Sequence, residues 1–208
     1  MVKVTGPCMS MSASGSLGGV MTFATWKGRP YVRQLVIPNN PRSAAQTGMR
    51  SMMSFLSKAW AGIATIDQAT FDADAESRQI SAFNSFVSLN MSRWKNYNPP
   101  SQTFTPAEAS TPLTVTTMTL TGGESHVNIE LTPSAATDIW GFEIYREDAA
   151  ITNPNNGNCI AVIEADGANA VEYNDVGLDA GTYHYRAAVI NDDGIRGTVI
   201  ADDTGAAT

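Results

Sequence analysis

Apolar residues recur along this chain with two different periods, and the change from one to the other falls near residue 100. Between residues 49 and 63, Met49, Met52, Phe55 or Leu56, Trp60 and Ile63 stand three or four apart, the stripe of an amphipathic helix. Asn40 as N-cap and Pro41 at the first helical position give it a start. "DQATFDADA" predicts a short helical turn, and Ile80, Phe83, Val87, Met91 and Trp94 predict a second helix over about Ser77–Trp94. Ahead of these, "GVMTFATWKGRPYVRQLVIP" alternates as a β-hairpin: Val20, Thr22 and Ala24 against Met21, Phe23 and Thr25. "KGRP" supplies its turn, and Tyr31, Arg33, Leu35 and Ile37 continue the return strand.

Beyond residue 112 the period becomes that of strands. "LTVTTMTLTG", "HVNIELTPS", "IWGFEIYRED", "CIAVIEAD", "AVEYNDV", "GTYHYRAAVIND" and "GTVIADDT" are separated by turn formers such as "GG", "NPNNGN" and "NDDG". Seven evenly spaced strands predict a β-sandwich. The two regimes are joined by "NYNPPSQTFTPAEASTP", whose prolines favour extended, semi-rigid chain. The predicted architecture is therefore α+β in two domains. A flexible arm covers residues 1–15, a hairpin-plus-helices domain 16–97, a Pro-rich linker 98–111 and an all-β sandwich 112–208. One hairpin and two helices make a thin core, so the first domain is expected to cover its apolar surface with a partner.

Charge sharpens this division. Residues 1–104 hold ten Lys/Arg against four Asp/Glu, and residues 105–208 three against sixteen, within an overall charge of −7. Such asymmetry suggests modules facing different surroundings. "TGPCMSMSASGSLGG" is too rich in Gly, Ser and Pro for a secretory h-region, and no stretch has the length of a membrane span. A product of the reducing cytosol, with no membrane contact, is expected. Cys8 and Cys159 then read as separate thiols, since zinc needs four clustered ligands.

Candidate chemistry is sparse. No nucleophile elbow, P-loop or dinucleotide fingerprint occurs, and "SGSLGG" has the wrong spacing for the first of these. His126 and His184 have no second histidine or cysteine nearby, and His184 beside Arg186 reads as a sandwich-surface residue. Asp166, Asp175, Asp192 and Asp193 read as turn formers without EF-hand spacing. No enzymatic activity, cofactor or metal is expected. Lys27, Arg29, Arg33, Arg42, Arg50 and Lys58, interleaved with Trp26 and Tyr31, suit either phosphate contacts and base stacking or docking to an acidic protein surface.

"DIWGFEIYRED" and "YNDVGLDAGTYHYRAAVINDDG" resemble a fibronectin type III domain over residues 112–204. That resemblance implies a sandwich core containing Leu131, where the family has a Trp, with Tyr183 as the corner tyrosine and Tyr185 pointing inward. The front half resembles a group of bacteriophage and prophage proteins through "GSLGGVMTFATWKGRPYVR", "NPRSAAQTGMRSMMSFLSKAW" and "AFNSFVSLN". This second resemblance implies a virion structural protein, anchored to capsid or tail subunits or to itself and displaying the sandwich as a decoration, cement or tail-associated element. The expected anchor is Phe23, Trp26, Arg29, Tyr31, Arg33, Asn40, Pro41, Arg42 and Gln46. Two alternatives stand beside it: a carbohydrate- or host-surface-binding module using Trp140 or Tyr145, and a DNA-contacting portal or neck component.

Overall fold

A computed structural model describes residues 2–3, 14–37, 43–107, 113–134, 138–166 and 169–208. The protein is α+β and mostly β. Its compact units are Met1–Pro41 and Arg42–Thr208, so the division precedes the helices and does not fall in the Pro-rich stretch.

The first unit is a four-stranded antiparallel sheet of order β1-β4-β3-β2, formed by β1 (Val2–Lys3), β2 (Gly15–Leu17), β3 (Met21–Trp26) and β4 (Arg29–Gln34). The hairpin β3–β4 turns on Lys27 and Gly28, with φ of 48° and 75°. Positive φ at both central residues matches the right-handed twist of the strands, the reason two-residue hairpin loops favour it. Part of the expected arm is thereby strand: Val2 pairs with Val32, and Gly15 with Phe23. Cys8, Asn40, Pro41 and Arg42 lie outside the described residues.

In the second unit, β5 (Val115–Gly123), β6 (His126–Pro133) and β9 (Val171–Val176) form a three-stranded sheet. Facing it is a four-stranded sheet of order β11-β10-β7-β8, made by β7 (Ile139–Glu147), β8 (Cys159–Glu164), β10 (Gly181–Asn191) and β11 (Asp203–Ala207). Val127, Ile129, Leu131, Phe142, Ile144, Tyr185, Ala187 and Val189 fill the space between the sheets. Leu131 and Tyr185 are thus core residues, whereas Tyr183 packs at the edge and donates its hydroxyl to the Asp179 carbonyl (3.0 Å). Six strands lie where alternation predicts them. The seventh is displaced from "GTVIADDT" to Asp203–Ala207, because close approach outranks hydrophobicity there: a Cβ at Gly205 would stand 2.7 Å from a Val127 methyl.

The helices α1 (Ala44–Ala59), α2 (Thr65–Gln68), α3 (Asp72–Arg78) and α4 (Ala82–Lys95) form a third layer, in which α1 lies against β8 and α2 and α3 pack on α4. The N-cap of α1 is Ser43. The expected Ser77–Trp94 helix is broken by Gln79 in the left-handed region (φ 54°) and restarts at Ser81, whose hydroxyl accepts the Asn84 N–H. Met52, Phe55, Leu56, Phe71, Phe86 and Trp94 share one apolar cluster with Trp140, Tyr145, Ala188 and Ile190 of the sheet. The thin helical core therefore finds its missing surface on the chain's own sandwich, and the expected border between helices and strands is an interior.

Three contacts show how the layers are joined. At Gly48, α1 runs so close to β8 that a Cβ would fall 2.3 Å from the Cys159 carbonyl. One turn later the Ser51 hydroxyl donates to the Val162 carbonyl (3.1 Å) and accepts the Val162 N–H (2.7 Å), satisfying backbone on a sheet edge. Trp140 sits where the β7–β10 register slips, between pairs at Gly141 and Ile139, and is turned to the helices. Its ring lies 4.9 Å from Phe55 and 6.4 Å from Phe86.

The first part of the expected linker is packed chain. Asn90, fully buried on α4, donates to the Ser101 carbonyl (3.0 Å) and accepts the Ser101 N–H (2.7 Å). Arg93 donates to the Pro99 carbonyl, Gln102 N–H reaches Asp192, and Phe104 stacks edge-on against Phe71 at 5.8 Å. Residues 108–112 lie outside the described residues.

Candidate docking surface

Among residues 14–37 of the first unit none is buried. Leu17, Val20, Met21, Trp26, Val36 and Ile37 are 41–81% exposed. Residues directly opposite each other in an antiparallel pair project to the same face, so the register sorts the side chains. The pairs Leu17–Met21, Met21–Gln34, Phe23–Val32 and Thr25–Pro30 put a largely apolar set on one face. The pairs Thr22–Arg33, Ala24–Tyr31 and Trp26–Arg29 put two aromatics and two guanidinium groups on the other. Lys27 adds a third cation, its ammonium 5.0 Å from the Trp26 ring.

The expected anchor residues thus separate. Trp26, Arg29, Tyr31 and Arg33 lie together, Phe23 lies on the reverse face, and Gln46 is an exposed residue of α1 in the second unit. Residues 1–41 contain Lys3, Lys27, Arg29 and Arg33 and no Asp or Glu.

Two buried polar networks hold the second unit together. Arg196 grips the fully buried Glu143 carboxylate through Nε (2.5 Å) and a terminal nitrogen (2.9 Å), donates to the Tyr97 carbonyl (2.6 Å) and stacks 3.9 Å over the Tyr97 ring. Tyr145 donates to the same carboxylate at 2.6 Å. Burial and that neighbouring carboxylate push the Tyr145 phenol well above its ordinary value, so it stays a donor. Glu143 is on β7 and Tyr97 follows α4, so this network ties the helical layer to the sheet.

A second network ties the two sheets. One terminal nitrogen of Arg146 donates to both Asp175 oxygens (2.9 and 2.7 Å), and Asp175 also accepts from the Tyr185 hydroxyl at 3.0 Å. Asp175 is therefore a buried strand residue of β9 and no turn former. A surface cleft of about 250 Å³, lined by Thr47, Arg50, Arg146, Tyr173 and Asp175, has this ion pair in its wall.

The other candidates resolve as follows. Trp140 is 8% and Tyr145 0% exposed, so the helical layer covers the platform considered for a sugar. His184 contacts Asp202 at 2.6 Å and His126 the Glu124 carbonyl at 2.9 Å. Cys159 is buried, and burial pushes its thiol well up. Among the described residues no three His, Cys, Asp or Glu side chains converge as metal ligands, and no helix is long and apolar enough to cross a membrane.

The covering of the sandwich had a legible signal. Strands buried on both faces read as continuous apolar runs. "IAVI" at 160–163 and "AAVI" at 187–190 are such runs, and they mark β8 and β10, which the helices overlie.

No protein-family model and no curated protein sequence matches this chain. Among solved structures, an Fn3-like protein from Clostridium thermocellum aligns at 17% identity over 48% of this chain and 96% of its own, with a TM-score of 0.35. A β-1,2-glucanase from Parabacteroides distasonis aligns at 20% identity over 48% of this chain with a TM-score of 0.37, and the third fibronectin III domain of human KIAA0343 protein at 15% over 43% with 0.30. The match takes in 14% of the glucanase and 77% of the human domain.

Proposed function

We propose that this chain is a non-enzymatic structural subunit of a bacteriophage particle. The sheet of residues 2–37 seats it on capsid or tail subunits, and the helix-backed sandwich, of fibronectin type III type, is the displayed body. One observation carries the docking half. None of residues 14–37 of this sheet is buried, which leaves apolar and aromatic side chains in water on both faces, and sheets of that kind gain stability when something covers them. Trp, Tyr and Arg, grouped here on one face, are the residue types that dominate binding energy at protein interfaces. The strand arrangement of the second unit supports the sandwich type, with first, second and fifth strands in one sheet and seventh, sixth, third and fourth in the other. The virion setting rests on the resemblance of "NPRSAAQTGMRSMMSFLSKAW" and its flanking motifs to phage proteins.

The test is particle incorporation. In a lysate producing the phage, full-length chain is expected to co-sediment with purified particles. Chain lacking residues 1–41 should remain in the free fraction while still unfolding cooperatively. Normal incorporation of the shortened chain, or absence of the full-length chain from particles, refutes the proposal.

A further inference from the structure

The basic face of the first unit and the open face of the sandwich are chemically matched. In β6, Val127, Ile129 and Leu131 point into the core, so His126, Asn128, Glu130 and Thr132 point outward. The β5–β6–β9 register extends this outer face with Thr119 and Glu172 beside Glu130, and Thr121 and Asn174 beside Asn128. Glu130 and Glu172 stand directly opposite each other and are exposed. Like charges so placed repel, and a cation bridging them removes the cost. Helices cover much of the outer face of the other sheet around β7, β8 and the end of β10, whereas this one presents hydroxyls, amides and two carboxylates to solvent. Opposite in sign, the first unit offers Lys27, Arg29 and Arg33 around Trp26 and Tyr31, in a segment without a single acidic residue.

We infer that the occupant of the Trp26/Arg29/Tyr31/Arg33 face is the Glu130/Glu172 face of a second copy of this chain. This rests on the docking reading above and names its partner for one of the two sheet faces; the apolar Phe23 face is left for the particle. The contact is heterologous, one surface meeting a different one, so successive copies form a closed ring or a growing row. Aromatic anchors between the guanidinium groups supply packed area, while the carboxylates set orientation and association rate.

Sedimentation equilibrium of the full chain, at 20 mM and 500 mM NaCl, tests it. Average mass is expected to rise with concentration at low salt and to fall back toward monomer at high salt. Arg29→Glu with Arg33→Glu, and separately Glu130→Arg with Glu172→Arg, should each weaken association by about tenfold or more, and the four changes together should restore it. Circular dichroism melts of each variant separate lost association from lost folding. A monomer at every concentration, or association indifferent to both reversals, overturns the inference. So does binding of a single-stranded oligonucleotide that the Arg reversals abolish while mass stays monomeric. If self-association is absent but deletion of residues 1–41 still removes the chain from particles, the docking function stands and only the second-copy partner falls.

Discussion

Replacing Arg196 with Met tests the joint between helices and sandwich. The guanidinium makes two bonds to Glu143 and one to the Tyr97 carbonyl, and it covers the Tyr97 ring. Met matches much of its length but leaves the carboxylate at 0% exposure with only the Tyr145 hydroxyl as a partner among these groups. Breaking a buried pair by removing one partner costs roughly 3–5 kcal/mol, because the remaining charge has lost water and gained nothing. In a protein of this size, about 2–4 °C of melting temperature accompanies each kcal/mol, so the midpoint should fall by roughly 6–20 °C. Urea unfolding at pH 7, followed by tryptophan fluorescence, gives the free energy directly. Trp94 and Trp140 sit in the affected layer and report on it. Glu143→Leu with Arg196→Met should be markedly less damaging than the two single losses added together, since no orphan charge survives. A loss below about 1 kcal/mol for Arg196→Met, or strict additivity in the double variant, would refute the reasoning.

Further outcomes follow from the same geometry. Gly48→Val drives a side chain toward the Cys159 carbonyl and should cost about 1–3 kcal/mol despite the better helix propensity of the new residue, measurable by the same urea titration. Trp140→Ala removes the ring held between Phe55 and Phe86 and should cost about 3–5 kcal/mol. Burial raises the Asp202 carboxyl, but the His184 hydrogen bond, the Ile151 N–H and nearby positive charge hold it below its usual range overall. A depressed carboxylate contributes stability above about pH 4 that disappears as pH falls through its folded value, so the urea midpoint should drop between pH 5 and 2, and less so in Asp202→Asn. Asp192 has the opposite sign, raised by burial and then by Asp193; Asp192→Asn should therefore stabilise at pH 7 and lose that advantage at pH 3.

Much of this architecture is readable from local pattern, and the failures have physical causes. Strand pattern locates β5 to β10: alternation where one face is wet, as in β6, and continuous apolar runs where helices cover the second face, as in β8 and β10. It misplaces β11, since "DTGAA" owes its position to small residues packed near Val127. The helical stripe of Met52, Phe55 and Leu56 is equally plain, but its partner is not: period says that a face is buried and not against what. Proline content misleads at residues 98–107, where extended chain is stitched down by Asn90, a polar side chain on the buried side of a helix that a hydrophobicity pattern passes over. In the first unit's sheet, the cationic and aromatic content is visible in sequence. Separating Phe23 from Trp26, Arg29, Tyr31 and Arg33 needs the hairpin register, fixed by the Lys27–Gly28 turn.

Hydrogen exchange of the full chain, diluted until monomeric, bears most directly on the proposed division between a self-sufficient body and an uncovered sheet that docks. Amides of α1 and α4 should exchange as slowly as those of β7 and β10, while those of residues 21–34 exchange orders of magnitude faster. Equal protection of residues 21–34 in the monomer, or helices that open independently of the sandwich, would contradict the account.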